Sequence, residues 1–187
     1  MDDPVDEVLA LFAVRGRGHY GEAVDQLRHA TQCGGLAEAA GASDELVAAA
    51  LLHDIGHLLG VHSDPAGGSP AGDDRHEAVG ARWLRHRFGP HVAAPVALHV
   101  LAKRYWCTVD PTYLATLTPT SMTSLELQGG LLGPEGAARF VTRSGAEAAL
   151  ALRVWDESAK DPGAPVVDLG EFTPILRRVA ERERSGR

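Results

Sequence analysis

The 187 residues suit a single domain and are enough to bury a substantial core. Acidic residues (25) outnumber basic ones (18), and the resulting formal charge of −7 argues against a nucleic-acid or anionic-membrane surface. The acidic N-terminus lacks a following apolar run, no stretch reaches the length of a membrane span, and Cys33 and Cys107 give no disulfide framework, so we expect a cytoplasmic protein.

The predicted elements are all helices. Apolar residues at helical spacing predict helices over 4–14, from about 21 to 40, and from Ser43 or Asp44 into the sequence Leu51-Leu52-His53-Asp54. The segment 58–73 is rich in Gly and Pro and predicts a long loop. Further helices are predicted at 73–88, 91–104, 134–141 and 144–158 and from about 173, with short helical pieces over 110–132. No alternating strand pattern occurs, so we predict an all-α, compact helical bundle forming one domain over 1–187.

The most informative pattern is a series of imidazole and carboxylate side chains. It reads His…His-Asp…His…His…Asp, and its members are His29, His53, Asp54, His76, His99 and Asp156. Nitrogen and oxygen ligands of this kind suit divalent first-row metals. Asp54 has two oxygens and could bridge two ions that the other five residues cap. We therefore predict a dinuclear metal site in a core of about residues 20–158.

Other polar residues lie one helical turn from these candidates. His57 follows His53 by four residues and Lys103 follows His99 by four, so each should share a face with a ligand. Glu22 precedes His29 by two turns, and we predict that Glu22 and Tyr20 line the same pocket. Plainer readings exist: a hydrogen bond from His57 to the backbone, a solvated Lys103, and an ordinary first-turn acid at Glu22.

These motifs resemble the HD-domain superfamily, and within it the PhnZ-type mixed-valent diiron oxygenases that cleave carbon–phosphorus bonds. The resemblance spans about residues 7–158. It is carried by Glu22-x-x-x-Gln26-x-x-His29, Leu51-Leu52-His53-Asp54-Ile55-Gly56-His57, His76-Glu77-x-x-Gly80, His99-x-x-x-Lys103, Ser121-Met122-x-Ser124 and Arg153-x-x-Asp156.

The resemblance implies that one iron binds His29, His53, Asp54 and Asp156, and that the other binds Asp54, His76 and His99. It also implies that His57 and Lys103 hold the phosphonate of a substrate, with Ser121 or Ser124 nearby and Glu22 at the far end. One departure is visible. The family pattern has a tyrosine three residues before the glutamate, whereas that position here is His19 and the tyrosine is Tyr20.

We therefore expect an oxygenase with two iron ions and dioxygen as co-substrate. It would convert a small 1-hydroxyphosphonate to phosphate and a carboxylic acid. A carboxylate at Glu22 repels a phosphonate and suits a cation, which favours an amino- or ammonio-substituted hydroxyethylphosphonate. The rival hypotheses are a metal-dependent phosphohydrolase, which would use a metal-bound hydroxide on a nucleotide or phosphate ester, and a metal-dependent binding or sensor module.

Overall fold

A computed structural model describes residues 3–19, 23–60 and 75–186. Over these ranges the chain is all-α and contains no strand, as predicted. The helices are α1 (Pro4–Arg15), α2 (Gln26–Ala39), α3 (Asp44–Leu52), α4 (Ile55–Leu58), α5 (His76–Phe88), α6 (Pro90–Val109), α7 (Pro111–Thr116), α8 (Pro119–Leu127), α9 (Pro134–Val141), α10 (Ala146–Ser158) and α11 (Thr173–Ser185), with a short 3-10 turn at Leu169–Phe172. None of the described helices is both long enough and apolar enough to cross a membrane.

Helix α3 lies at the centre of the fold. Helices α2, α6, α10 and α11 all pack against it, and every residue from Val47 to Leu52 is buried. A helix buried on all sides must be apolar all round, which explains the run Val47-Ala-Ala-Ala-Leu-Leu52. Because α3 is buried, the two residues that follow it, His53 and Asp54, lie in the middle of the protein.

The second helix starts later than predicted. It begins at Gln26, not near Gly21, because the Asp25 carboxylate accepts a hydrogen bond from the Arg28 amide at 2.8 Å and so caps the helix there. The prediction that this helix starts near Gly21 is therefore wrong, since residues 23–25 precede the helix. Tyr20 and Glu22 themselves lie outside the described residues, as does most of the predicted loop over 58–73.

Two more helix boundaries differ from the prediction. Helix α6 continues to Val109, and Pro95 lies within it. Helix α3 ends at Leu52, and His53-Asp54 forms a turn before the short α4, so His53 and His57 do not share one continuous helix. The region 110–132 contains two helices, α7 and α8, each with proline in its first turn and a side-chain cap from Asp110 or Thr118.

Helix α4 touches the start of α5 without any side chain between them. A Cβ atom built on Gly56 would lie 2.1 Å from the carbonyl oxygen of His76 and 2.8 Å from its carbonyl carbon. Only glycine permits this approach. Gly56 therefore sets the distance between the His53-Asp54 turn and His76.

Candidate metal centre and anion pocket

The structure brings together all six residues of the His/Asp series. They come from five places in the chain: α2, the turn after α3 (which supplies two of them), the first residue of α5, the middle of α6, and the last turn of α10. The residues are His29, His53, Asp54, His76, His99 and Asp156. All of them are buried except Asp54, whose carboxylate is partly exposed.

The first group contains two histidines and the carboxylate of Asp156. The Nε2 atoms of His29 and His53 lie 3.2 Å apart. The Oδ1 atom of Asp156 is 3.3 Å from the His29 nitrogen, and its Oδ2 atom is 3.6 Å from the His53 nitrogen. Four ligand atoms thus converge on one small volume.

The second group lies across Asp54 from the first. The Nε2 atoms of His76 and His99 lie 3.1 Å apart, and the Asp54 Oδ1 atom is 3.4 and 3.6 Å from them. Toward the first group, the Asp54 Oδ1 atom lies 3.5 Å from the His53 Nε2 atom and the Oδ2 atom lies 3.9 Å from the His29 Nε2 atom. Asp54 therefore has oxygens toward both groups, which is the arrangement that a bridging carboxylate needs.

The orientation of the histidine rings favours metal binding over hydrogen bonding. In three of them the Nδ1 atom contacts a backbone carbonyl: Ala159 for His29 at 2.9 Å, Ala50 for His53 at 2.8 Å and Val96 for His99 at 2.8 Å. A proton on Nδ1 donates to that carbonyl and leaves the Nε2 lone pair of a neutral ring facing the site. Two facing lone pairs repel each other, and a cation between them removes the repulsion.

The pKa shifts within the cluster fit this arrangement except at His53, whose pKa Asp54 and Asp156 raise well above its usual value against the effect of burial, so this ring must give up a proton when a metal binds. Burial would raise the pKa of Asp54, but His53 and His76 outweigh it and hold that pKa well below its usual range. The pKa of Asp156 is likewise lowered, against burial, by Arg153 and His53. Burial and the neighbouring His76 lower the pKa of His99, so this ring stays neutral. Two carboxylates and a neutral imidazole are the protonation states that bind divalent cations.

His57 lies close to the second group. Its ring stacks on that of His76, with centroids 4.0 Å apart and an angle of 19° between the planes. Ligand atoms of Asp54, His57 and His76 are near enough to hold one ion, as are those of His29, His53 and Asp54. His57 was predicted to contact substrate, and its position also allows it to bind a metal.

A pocket of lysine and serine side chains adjoins the metal ligands. Lys103 is 5% exposed and its Nζ atom donates to the Ser124 hydroxyl at 2.8 Å. Lys160 donates to the Ser121 hydroxyl at 2.5 Å and also contacts the Glu157 carboxylate at 3.2 Å. Burial, together with the nearby Arg153 and Lys160 charges, lowers the pKa of Lys103 to about 8. This group, called the anion pocket below, confirms that Lys103 is not a solvated helix residue.

Sequence reasoning missed Lys160 and the role of Arg153 in this region. A signal was available, because Lys160 follows Asp156 by four residues just as Lys103 follows His99. Helix α2 fixes the segment that carries Lys160: Arg28 donates to the carbonyls of Pro162 and Ala164, both at 2.7 Å, and Gln32 donates to that of Asp161 at 2.8 Å.

Comparisons with known proteins identify the family. A sequence profile described as the HD domain matches residues 26–122. The chain is 42% identical over 172 residues to a hydroxymethylphosphonate dioxygenase of Gimesia maris, which covers 90% of this chain and 86% of that one. It is 34% identical over 182 residues to a [1-hydroxy-2-(trimethylamino)ethyl]phosphonate dioxygenase (glycine-betaine-forming) of Leisingera caerulea, which covers 95% and 91% of the two chains.

A third relative is the uncharacterized protein L432 of Acanthamoeba polyphaga mimivirus, 32% identical over 158 residues that cover 83% of this chain and 72% of that one. The profile covers more than half of the chain, and the matched region contains five of the six residues of the His/Asp series. The chain belongs to the HD-domain family.

Proposed function

We propose that this protein is an iron-dependent oxygenase that cleaves the carbon–phosphorus bond of a small 1-hydroxyphosphonate. The reaction joins one hydroxyphosphonate with one dioxygen and yields one carboxylic acid and one phosphate, which accounts for every atom. Two relatives that align over most of the chain are named as dioxygenases of hydroxyphosphonates. The single observation that carries the proposal is the pair of facing histidine groups on either side of Asp54, beside a buried lysine pocket.

We further propose two iron ions, held by His29, His53, Asp54 and Asp156 on one side and by Asp54, His76 and His99 on the other. The donor set fits, since imidazole and carboxylate groups suit iron and each group leaves positions open for other ligands. When bound, a mixed-valent iron pair would supply the activation of dioxygen and the oxidation of the carbon that bears phosphorus.

The anion pocket would hold the phosphonate. An ammonium group has three donors and no acceptor, so Lys103 and Lys160 suit an anion and not a metal. Ser121 and Ser124 accept hydrogen bonds from the two lysines and thereby fix their positions. Because Lys103 lies one turn after His99 on α6, the phosphonate would sit beside the second metal position. That placement would orient the hydroxyl group of the substrate and the carbon that bears phosphorus.

His57 would contact the substrate from the opposite wall. Its ring is fixed by stacking on His76, so a hydrogen bond from His57 to a phosphonate oxygen needs no reordering of the side chain. Tyr20 and Glu22 remain predictions: Tyr20 would lie near an iron, and Glu22 would meet the substituent of the substrate. The two relatives differ at that end of the molecule, since one is named for hydroxymethylphosphonate and the other for a trimethylamino compound.

The test compares products with and without oxygen. Iron-loaded protein is mixed with hydroxymethylphosphonate or 2-amino-1-hydroxyethylphosphonate, oxygen uptake is recorded, and phosphorus NMR follows free phosphate. We expect one phosphate for each oxygen consumed and none under anaerobic conditions. Equal phosphate release without oxygen would instead support the phosphohydrolase, which the names of the relatives do not favour.

A further inference from the structure

Arg153 is a buried guanidinium whose three nitrogens all contact protein groups. It lies on α10, is 4% exposed, and its Nε atom donates to the Tyr113 hydroxyl at 2.6 Å. Its Nη1 atom donates to the Oδ2 atom of Asp156, and its Nη2 atom donates to the Oε2 atom of Glu157. A guanidinium held in this way is rigid, because each arm of the fork is fixed by a different partner.

The contact with Arg153 makes the two carboxylate oxygens of Asp156 different from each other. Arg153 donates to Oδ2, whereas Oδ1 lies 3.3 Å from the His29 Nε2 atom. Both oxygens face the first histidine group, since Oδ2 lies 3.6 Å from the His53 Nε2 atom, but Oδ1 is the oxygen that does so without a contact from Arg153. The guanidinium also places a positive charge against this carboxylate, in a region with little solvent to screen it.

We propose that Arg153 is a positioning residue of the first metal position, acting through Asp156. It holds Asp156 by one oxygen, leaves the other for the ion, and offsets part of the carboxylate charge. Because Arg153 acts through Asp156, which belongs to the first group, its effect should fall mainly on one of the two ions. This inference rests on the proposed two-iron centre.

Two consequences separate this role from a structural one. Loss of the fork frees the Asp156 carboxylate to rotate, and loss of an outer partner of a metal ligand typically weakens metal binding by about 10- to 100-fold. Loss of the positive charge makes Asp156 a stronger donor and favours the ferric state, so the midpoint potential of the iron pair should fall. A residue that only stabilised α10 would change the melting temperature without changing the potential.

The experiment uses four proteins: wild type, Arg153→Gln, Arg153→Lys and Tyr113→Phe. Tyr113→Phe is the matched control, because it removes another partner of the same guanidinium without changing any charge and leaves the Arg153–Asp156 contact in place. Ferrous iron binding is measured by titration, the midpoint potential by redox titration with electron paramagnetic resonance detection, and folding by circular dichroism. None of these readouts needs turnover.

We expect Arg153→Gln to bind one of two irons about 10- to 100-fold more weakly and to shift the potential downward. Arg153→Lys keeps the charge but lacks the fork, so it should weaken one iron and keep the potential near that of wild type. Tyr113→Phe should resemble wild type in both. If Arg153→Gln does not fold, Arg153→Lys provides the test. Wild-type affinity for both irons in Arg153→Lys would overturn the inference. A wild-type protein that holds fewer than two irons overturns the proposed centre itself, which is a separate result.

Discussion

Replacing Gly56 with alanine should remove one metal position while leaving the fold in place. The new Cβ atom would lie 2.1 Å from the His76 carbonyl oxygen, whereas real Cβ contacts are essentially never under 3.0 Å, so α4 and α5 must separate by about 1 Å. The contact involves backbone on both sides, and no side chain can rotate away to relieve it.

That displacement is large compared with the tolerance of a metal site. His76 is the first residue of α5, and its Nε2 atom lies 3.1 Å from that of His99 and 3.4 Å from Asp54 Oδ1. Metal–ligand distances vary by only about 0.2 Å, so a shift of about 1 Å takes His76 out of the second group. The first group does not use His76. Overpacking of this kind costs about 1–3 kcal/mol, which corresponds to a fall in Tm of about 2–12 °C and leaves a folded protein.

The assay combines iron analysis, thermal melting and oxygen uptake. We expect Gly56→Ala to retain about one iron per chain and its helical circular dichroism, and to lose oxygen uptake. Gly35→Ala is the control, because a Cβ at that helical position meets nothing within 4 Å and alanine favours a helix over glycine by about 1 kcal/mol. A Gly56→Ala protein with two irons and wild-type turnover would show that this helix contact does not position His76.

Three further predictions concern the ligands and the substrate. Asp54→Ala should lose both irons, whereas His99→Ala should lose mainly one, because the Asp54 carboxylate faces both groups; elemental analysis that found two irons in Asp54→Ala would contradict the bridge. The KM for phosphonate should rise as pH rises through about 8, where Lys103 loses its proton. Lys103→Ala should raise the KM about 10- to 100-fold at pH 7, abolish that pH dependence and keep its iron. Loss of iron with unchanged KM would refute this role. Glu22→Gln should reduce kcat/KM for 2-amino-1-hydroxyethylphosphonate by about tenfold and leave hydroxymethylphosphonate unaffected, whereas a wild type that uses both equally well would show that Glu22 does not recognise a cation.

Local sequence patterns predicted most of the helices. Apolar spacing and caps predicted the all-α fold, which the structure confirms over the described residues. The errors lie where one short contact determines a boundary. Helix α2 starts at Gln26, five residues after the predicted start near Gly21, because Asp25 caps it there, and the turn at His53-Asp54 contains no Gly or Pro to mark it.

The site was predictable in composition and only partly in geometry. The His/Asp series predicted six residues that the structure does bring together, and the resemblance to the HD-domain family is confirmed. Their metal-binding roles stay predictions. The contact between Lys160 and Ser121 joins residues 39 positions apart, and the Tyr113–Arg153 contact joins residues 40 apart. The periodicity of a single helix does not predict such contacts, because they depend on how α7, α8 and α10 pack.

The attachment of α2 to the segment after α10 also bears on how the protein is made. His29 donates to Ala159 across 130 positions, and Gln32 and Arg28 bind the same segment across 129 to 136 positions. His29 thus acquires its backbone acceptor only after the segment that follows α10 has left the ribosome. An emerging nascent chain that presents His29, His53 and Asp54 still lacks both Asp156 and the carbonyl that orients the His29 ring. The first histidine group can therefore be completed only once the segment after α10 packs against α2.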